Sequence, residues 1–265
     1  MIVERTECAA CKGTAFTSIA RIDSREIVAC QNCGFQFAKK FDTDTINKSY
    51  QNEYYPSPDA PRMDEWNLKN TEVWQSLCND VTGAAPSVSS LLDIGAGTGG
   101  FLMEFQKKIP LAKLNAVESS SNAREFVSNK IPAVQFFTDL PSSEEFDVIS
   151  LLQTMEHLEE PDLLCKKIFT ALNTGGLFLL TVPNTAFLKH LWKKKENTLC
   201  YGNPTHLQFF GTRPLEKMLR DAGFKRITRI VKMEKGNAAF SRRFIQYLAR
   251  FFGVSSELRY IAFKS

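Results

Sequence analysis

Three groups of residues have types and spacings that could do chemistry. The first is two CxxC pairs, Cys8-Ala-Ala-Cys11 and Cys30-Gln-Asn-Cys33, with residues 12 to 29 between them. Two such knuckles bring four thiolates to one point, the usual way of closing a tetrahedral zinc site. Four sulfurs leave no open coordination position, so this Zn2+ is read as structural. A redox-active CxxC is the rival reading, and two pairs at ribbon spacing disfavour it. The second group is acidic and glycine-rich: Asp93, then Gly95-Ala96-Gly97, then Glu118. The third is histidine: His157 after Glu156, His206, and His190 in a basic stretch.

The elements around these residues decide what they can bind. Leu91, Leu92 and Ile94 read as a short buried strand. Gly95 and Gly97 make a turn that a Cβ would obstruct, and Thr98 to Lys108 reads as a helix. Strand, glycine turn and helix form the first βα unit of a doubly wound α/β domain, with the ligand at the carboxyl end of the strand. Gly95, Gly97 and Gly100 formally satisfy G-x-G-x-x-G, the dinucleotide pattern. Two features argue for a different ligand. Asp93 would lie close to a pyrophosphate, and no Lys or Arg stands in the turn to offset it. A ligand with a cationic ammonium and no phosphate suits the site better, and S-adenosylmethionine is such a ligand. Glu118 ends the next strand, Lys113 to Val117, where a carboxylate can accept both ribose hydroxyls. NAD enzymes place an acid similarly, so Glu118 alone does not discriminate.

Leu91-Leu-Asp-Ile-Gly-Ala-Gly-Thr-Gly99, Val117-Glu118, Phe146-Asp-Val-Ile-Ser-Leu-Leu152 and Glu156-His157-Leu158 with Pro161 together resemble the class I S-adenosylmethionine-dependent methyltransferases. The match runs from about Leu91 to Phe224, and the N-terminal ribbon resembles that of a bacterial small-molecule subgroup. The resemblance implies a Rossmann-like seven-stranded doubly wound sheet of order 3-2-1-4-5-7-6, its last strand antiparallel, preceded by a small four-cysteine zinc ribbon. It implies a cofactor site of Asp93, Gly95, Ala96, Gly97, Glu118, Ser119, Asp139, Leu140 and Gln153. Asp139 would accept from the adenine amino group; its alternative is a turn Asp before Pro141. The implied acceptor is a small molecule such as a sugar, a glycan precursor or a secondary metabolite. An RNA methyltransferase and a non-catalytic cofactor-binding protein are the alternatives.

Methyl transfer from a sulfonium is an in-line displacement, and aligning the reactants can contribute on the order of 7–11 kcal/mol. A base is needed only for a protonated, poor nucleophile, and histidine titrates nearest neutral pH. His157 and His206 are therefore read as catalytic, with a hydrogen-bonding spacer as the alternative for each. Glu156 either orients His157 or caps the following helix. The neutral Gln153 three positions before it weakens a metal reading of that pair. Tyr54, Tyr55, Glu156 and Tyr201 are read as substrate-binding; for Tyr54 and Tyr55 the alternative is docking of the ribbon.

The chain of 265 residues divides into a ribbon (1–40), a connector and helix (41–83) and a methyltransferase domain (84–265) with a cap at 183–211. Asp64 to Val81 reads as one helix, and Pro56, Pro58 and Pro61 as a stiff non-helical connector. The later strands are expected at 133–137, 146–152, 177–182, 224–232 and 257–264. The aromatic stripe Phe240, Phe244, Tyr247, Leu248, Phe251 and Phe252 is read as core, with a partner or membrane surface as the alternative. The ribbon carries Lys12, Arg21 and Arg25 but no dense basic face, and the net charge is only +4, which disfavours nucleic acid as partner. No apolar run approaches the roughly 20 residues that span a bilayer, and the first ten residues lack a signal-peptide core. A cytoplasmic protein is expected. The basic face of Lys193 to Lys195 leaves peripheral membrane contact open, and nothing in the pattern bears on oligomeric state.

Overall fold

The computed structural model describes residues 2–22, 25–44, 46, 61–187, 200–231 and 240–265. Tyr54, Tyr55, His190 and Lys193 to Lys195 lie outside the described residues.

Short antiparallel strands come first: β1 (Ile2–Glu4), β2 (Phe16–Ile22), β3 (Arg25–Cys30), β4 (Gln36–Ala38) and β5 (Lys40–Asp42). β2, β3 and β4 form a meander, while β5 pairs back on β1. That pairing joins Ile2–Glu4 to Lys40–Asp42. Two helices follow, α1 (Pro61–Lys69) and α2 (Thr71–Ala84), where one was expected. The break falls at Asn70, whose side-chain amide donates to Trp66 O; Thr71 Oγ1 donates to Leu68 O. Side chains thus take carbonyls at the end of α1. Pro61 opens α1 instead of belonging to a non-helical connector, as a residue with no N–H to satisfy can do in a first turn.

The large sheet then builds in the order β6 (Ser90–Ile94), α3 (Gly100–Lys108), β7 (Lys113–Val117), α4 (Ser121–Lys130), β8 (Gln135–Phe137), β9 (Phe146–Leu152), α5 (Pro161–Ala171) and β10 (Leu172–Pro183). The chain ends with β11 (Gln208–Phe209), α6 (Thr212–Asp221), β12 (Arg226–Arg229), α7 (Phe240–Phe251) and β13 (Glu257–Phe263). The seven-stranded order is β12-β13-β10-β9-β6-β7-β8, with β13 antiparallel to both neighbours. This is the expected Rossmann-like order 3-2-1-4-5-7-6, read from the other edge. β10 starts earlier than expected, because Leu172 already pairs with Phe146 and the register shifts before Leu177.

Alternate residues of the central strands feed two buried layers. Leu91, Val148, Leu177 and Leu179 pack with Leu77, Val81, Phe101, Phe105 and Phe126 of the helices on one face. Leu92, Ile149, Leu151, Phe178 and Leu180 pack with Ile168, Leu215 and Leu219 on the other. Strands covered on both sides read as continuous apolar runs, which is why β6 and β9 are legible. The second layer continues into the ribbon through Cys8, Val28, Phe35 and Phe37, and Phe35 lies 5.3 Å from the ring of Phe210. β11 pairs with β4, so the ribbon meander is completed by a strand from the large domain. The aromatic stripe on α7 differs from its expected core role. Phe244, Phe251 and Phe252 are exposed and contact Tyr247 and one another. Among the described residues, no helix is long and apolar enough to cross a membrane.

Candidate active site

At the carboxyl ends of β6 and β7 the glycine turn and Glu118 form one unit. Gly95, Gly97 and Gly99 all take positive φ, the region only glycine adopts without strain. A Cβ on Gly95 would also meet the Thr154 side chain at 2.5 Å, so the turn packs directly against the residue that follows β9. Gly97 N donates to Glu118 Oε2 (2.7 Å) and Ser120 N to Glu118 Oε1 (2.8 Å). Two backbone donors fix a buried carboxylate at the mouth of the turn. A carboxylate has about four acceptor sites, so others remain for a ligand's hydroxyls. Ser120 also caps α4, accepting from Ala123 N.

Behind the turn, Asp93 is buried and accepts from Ser150 Oγ at 2.7 Å. Burial pushes its carboxyl up to about 7; the Ser150 bond opposes that shift and the Glu118 charge adds to it. Beneath the turn, Asn67 of α1 donates to Thr98 O (2.8 Å) and accepts from Thr98 Oγ1 (2.5 Å). A helix outside the βα unit thus holds the end of the glycine turn, just before α3.

After β9 the chain enters a strained corner. Gln153 has φ 50°, unusual for a residue with a Cβ, and its N–H donates to Thr181 O at 2.9 Å. A single 3-10 turn, Met155–His157, then places Glu156 and His157. The segment 200–208 crosses over this turn: Leu207 N donates to Glu156 O, and Gln208 Nε2 donates to Leu158 O. It brings His206 against His157, with ring centroids 4.7 Å apart. Nε2 of each ring lies 3.9 Å from Glu156 Oε1. Burial pushes the Glu156 carboxyl up to about 8 and lowers His157 to about 3 and His206 to about 4.

The crossing segment is held from the ribbon side. Arg25 of β3 is buried, and its guanidinium donates to Asn203 O (2.7 Å), His206 O (3.1 Å) and Tyr201 O (3.0 Å). Tyr201 stacks on Phe209, and its hydroxyl donates to Gln36 Oε1 at 2.6 Å. Arg25 was counted with the ribbon's basic residues from the sequence; here it is an internal clamp. Its partners are backbone carbonyls distant in sequence, and no motif signals such a pairing. Ser150, Asn67 and Thr205 escaped notice for the same reason.

The four ribbon cysteines converge: Cys8 Sγ lies 3.7 Å from Cys33 Sγ, and Cys11 Sγ lies 3.5 Å from Cys30 Sγ. Sulfurs about 2.3 Å from a tetrahedral ion would stand about 3.8 Å apart, so the cluster fits a zinc ion. Of the other expected site residues, Asp139 is exposed and its carboxylate accepts from Leu140 N at 2.7 Å. Ala96 N and Gly95 N both donate to Val117 O. The Ser119 hydroxyl donates to Glu118 Oε1 at 3.5 Å. The structure therefore gathers Asp93, the glycines, Glu118 and Ser119 at one edge and Glu156, His157 and His206 beside it.

A glycine-turn α/β sheet with this topology defines the class. The chain belongs to the methyltransferase-domain family Methyltransf_23, whose model matches residues 66–229. Among individual proteins, the malonyl-[acyl-carrier protein] O-methyltransferase of Halalkalibacterium halodurans is 29% identical over 114 residues, 38% of this chain and 42% of that protein. The chain thus spans less than half the length of that curated relative. A Thermotoga maritima structure, described as an S-adenosylmethionine-dependent methyltransferase and possible histamine N-methyltransferase, matches with a TM-score of 0.54 at 20% identity, covering 77% of this chain and 95% of that one. The plantazolicin methyltransferase BpumL in complex with a desmethyl substrate analogue and S-adenosylhomocysteine matches with a TM-score of 0.57 at 18% identity, covering 84% and 98%. At these identities the likeness is one of fold.

Proposed function

We propose that this protein is an S-adenosylmethionine-dependent methyltransferase acting on a small-molecule acceptor of the sugar, glycan-precursor or secondary-metabolite class. The observation that carries the reading is the Glu118 carboxylate, pinned by Gly97 N–H and Ser120 N–H in front of the buried Asp93. Two carboxylates beside a turn free of Lys and Arg suit a cationic, phosphate-free cofactor.

Bound S-adenosylmethionine supplies a methyl group already activated by its positive sulfur. The chain's own residues bind and orient. Glu118 takes the ribose hydroxyls, Asp93 offers negative charge to the amino-acid end, and the glycine turn lets the ligand approach the backbone. Asp139 and Leu140 flank the adenine end, and Ala96, Ser119 and Gln153 complete the pocket. His157, His206 and Glu156 face the acceptor, and Tyr54, Tyr55 and Tyr201 are the further residues assigned to binding it. The ribbon holds a structural Zn2+ through Cys8, Cys11, Cys30 and Cys33. A nucleic-acid acceptor fits less well: Arg25 is buried in carbonyl contacts, and Lys12 is paired with Asp162 at 2.7 Å.

The test is transfer of a labelled methyl group from S-adenosylmethionine to a panel of sugar nucleotides, hydroxy- and carboxy-metabolites and bulk RNA. Label entering a small molecule supports the proposal. Label entering RNA alone overturns the acceptor class.

A further inference from the structure

We propose that Glu156, His157 and His206 bind a divalent transition-metal ion at a second site, separate from the four cysteines. Gln153, three positions before Glu156, supplies no charged ligand along the chain. The fold supplies a different third donor, His206, from the crossing segment. The carboxylate and imidazole donor atoms of the three residues lie within 4.8 Å of one another.

The hydrogen bonds decide which atoms are available. His206 Nδ1 lies 2.7 Å from Cys200 O. A carbonyl can only accept, so Nδ1 carries the hydrogen and Nε2 carries a lone pair. His157 Nδ1 lies 3.1 Å from Thr205 O and 3.0 Å from Thr205 Oγ1, and that hydroxyl spends its own hydrogen on Asn203 Oδ1. Nδ1 is again the donor, and Nε2 again carries the lone pair. Both Nε2 atoms then lie 3.9 Å from Glu156 Oε1, too far for a hydrogen bond. Glu156 Oε2 is buried with no hydrogen-bond partner among the described residues. Two imidazole nitrogens and a carboxyl group therefore converge on one place.

Backbone carbonyls that fix Nδ1–H and aim Nε2 inward are the usual support of histidine ligands. Donors about 2.1 Å from an ion stand about 3.4–3.6 Å apart in tetrahedral or trigonal geometry. The two carboxylate–imidazole distances of 3.9 Å therefore need a contraction of a few tenths of an ångström, and no pair, all being within 4.8 Å, needs more than about 1.4 Å. Two imidazoles and one carboxylate suit Zn2+, Co2+, Fe2+ or Mn2+ and leave positions open to an oxygen donor. That this donor is the acceptor's hydroxyl or carboxylate rests on the function proposed above; the ion site itself does not.

The test is metal analysis of the full-length protein after dialysis against excess Zn2+, Co2+ or Mn2+ and removal of free ion. Two equivalents per chain are expected, falling to one in Glu156→Gln and in His206→Gln, with S-adenosylhomocysteine binding retained as the check of folding. Two equivalents in both folded variants would overturn the proposal, as would one in the wild type with every ion. Should the variants fail to fold, the wild-type cobalt spectrum decides. A second equivalent that adds visible bands without thiolate charge transfer supports the site, and one that adds only thiolate charge transfer overturns it. Failure of cofactor binding alongside two metal equivalents would remove the methyltransferase reading and leave the ion site standing.

Discussion

Asp93 is the residue whose chemistry is most tied to its place. Its pKa of about 7 lies above the ordinary 3.8, so the native state holds a proton that the unfolded chain has released. Its contribution to stability is therefore fully present below about pH 4 and is lost as pH rises from there through about 7. Cofactor binding should show the opposite trend. If the carboxylate receives the cofactor's amino group, affinity for S-adenosylhomocysteine rises by up to tenfold per pH unit below 7 and levels off above it. Calorimetry in buffers of different ionisation enthalpy would show proton release at pH 6, and Asp93→Asn would abolish both effects. Gly95→Ala places a Cβ against Thr154 at a φ of 73°. A non-glycine residue there costs about 1–2 kcal/mol from the backbone alone, so denaturant unfolding should show at least that loss, together with loss of cofactor binding.

At the scale of elements, the clamp from the ribbon to the segment 200–208 makes a separate prediction. Arg25→Met leaves three carbonyls without their donor in a buried place, at a cost of about 2–4 kcal/mol for charge-assisted bonds. Equilibrium unfolding should register that loss. S-adenosylhomocysteine should still bind, because Asp93 sits on β6 and Glu118 directly follows β7, while acceptor turnover falls because His206 is unmoored. Legibility follows the same division. β7, β9 and the glycine turn were readable because their signals are local: apolar runs, punctuating glycines and an acid at a strand end. The CxxC pairs were readable because thiolate spacing carries its own geometry. The break at Asn70 was not, since its side-chain bonds to Trp66 O and its neighbour's to Leu68 O leave the apolar period of the helix uninterrupted. The union of β11 with β4 and the Arg25 clamp were not, since each depends on partners that folding brings from elsewhere. The aromatic stripe on α7 has the period of a buried face, yet its rings contact one another at the surface; periodicity reports amphipathicity and leaves the partner unnamed.

Over the whole molecule, the ribbon and the Rossmann-like sheet share a buried layer and a strand pairing, so the N-terminal four-cysteine module bears on the candidate active site. Removing the ribbon's metal with a chelator should therefore speed hydrogen exchange in 200–209 as well as in 8–38, and leave β6 and β7 protected. Equal protection of 200–209 with and without metal would separate the two units. The account as a whole stands on the cofactor. Its most direct test is calorimetric titration of the purified protein with S-adenosylhomocysteine, with NAD as control, repeated on Glu118→Ala. The account predicts binding of S-adenosylhomocysteine, none of NAD, and a loss of about 10- to 100-fold in the variant, the size expected when a charged acceptor of two hydroxyls is removed. Binding of NAD in preference, or affinity for S-adenosylhomocysteine unchanged by Glu118→Ala, would contradict it.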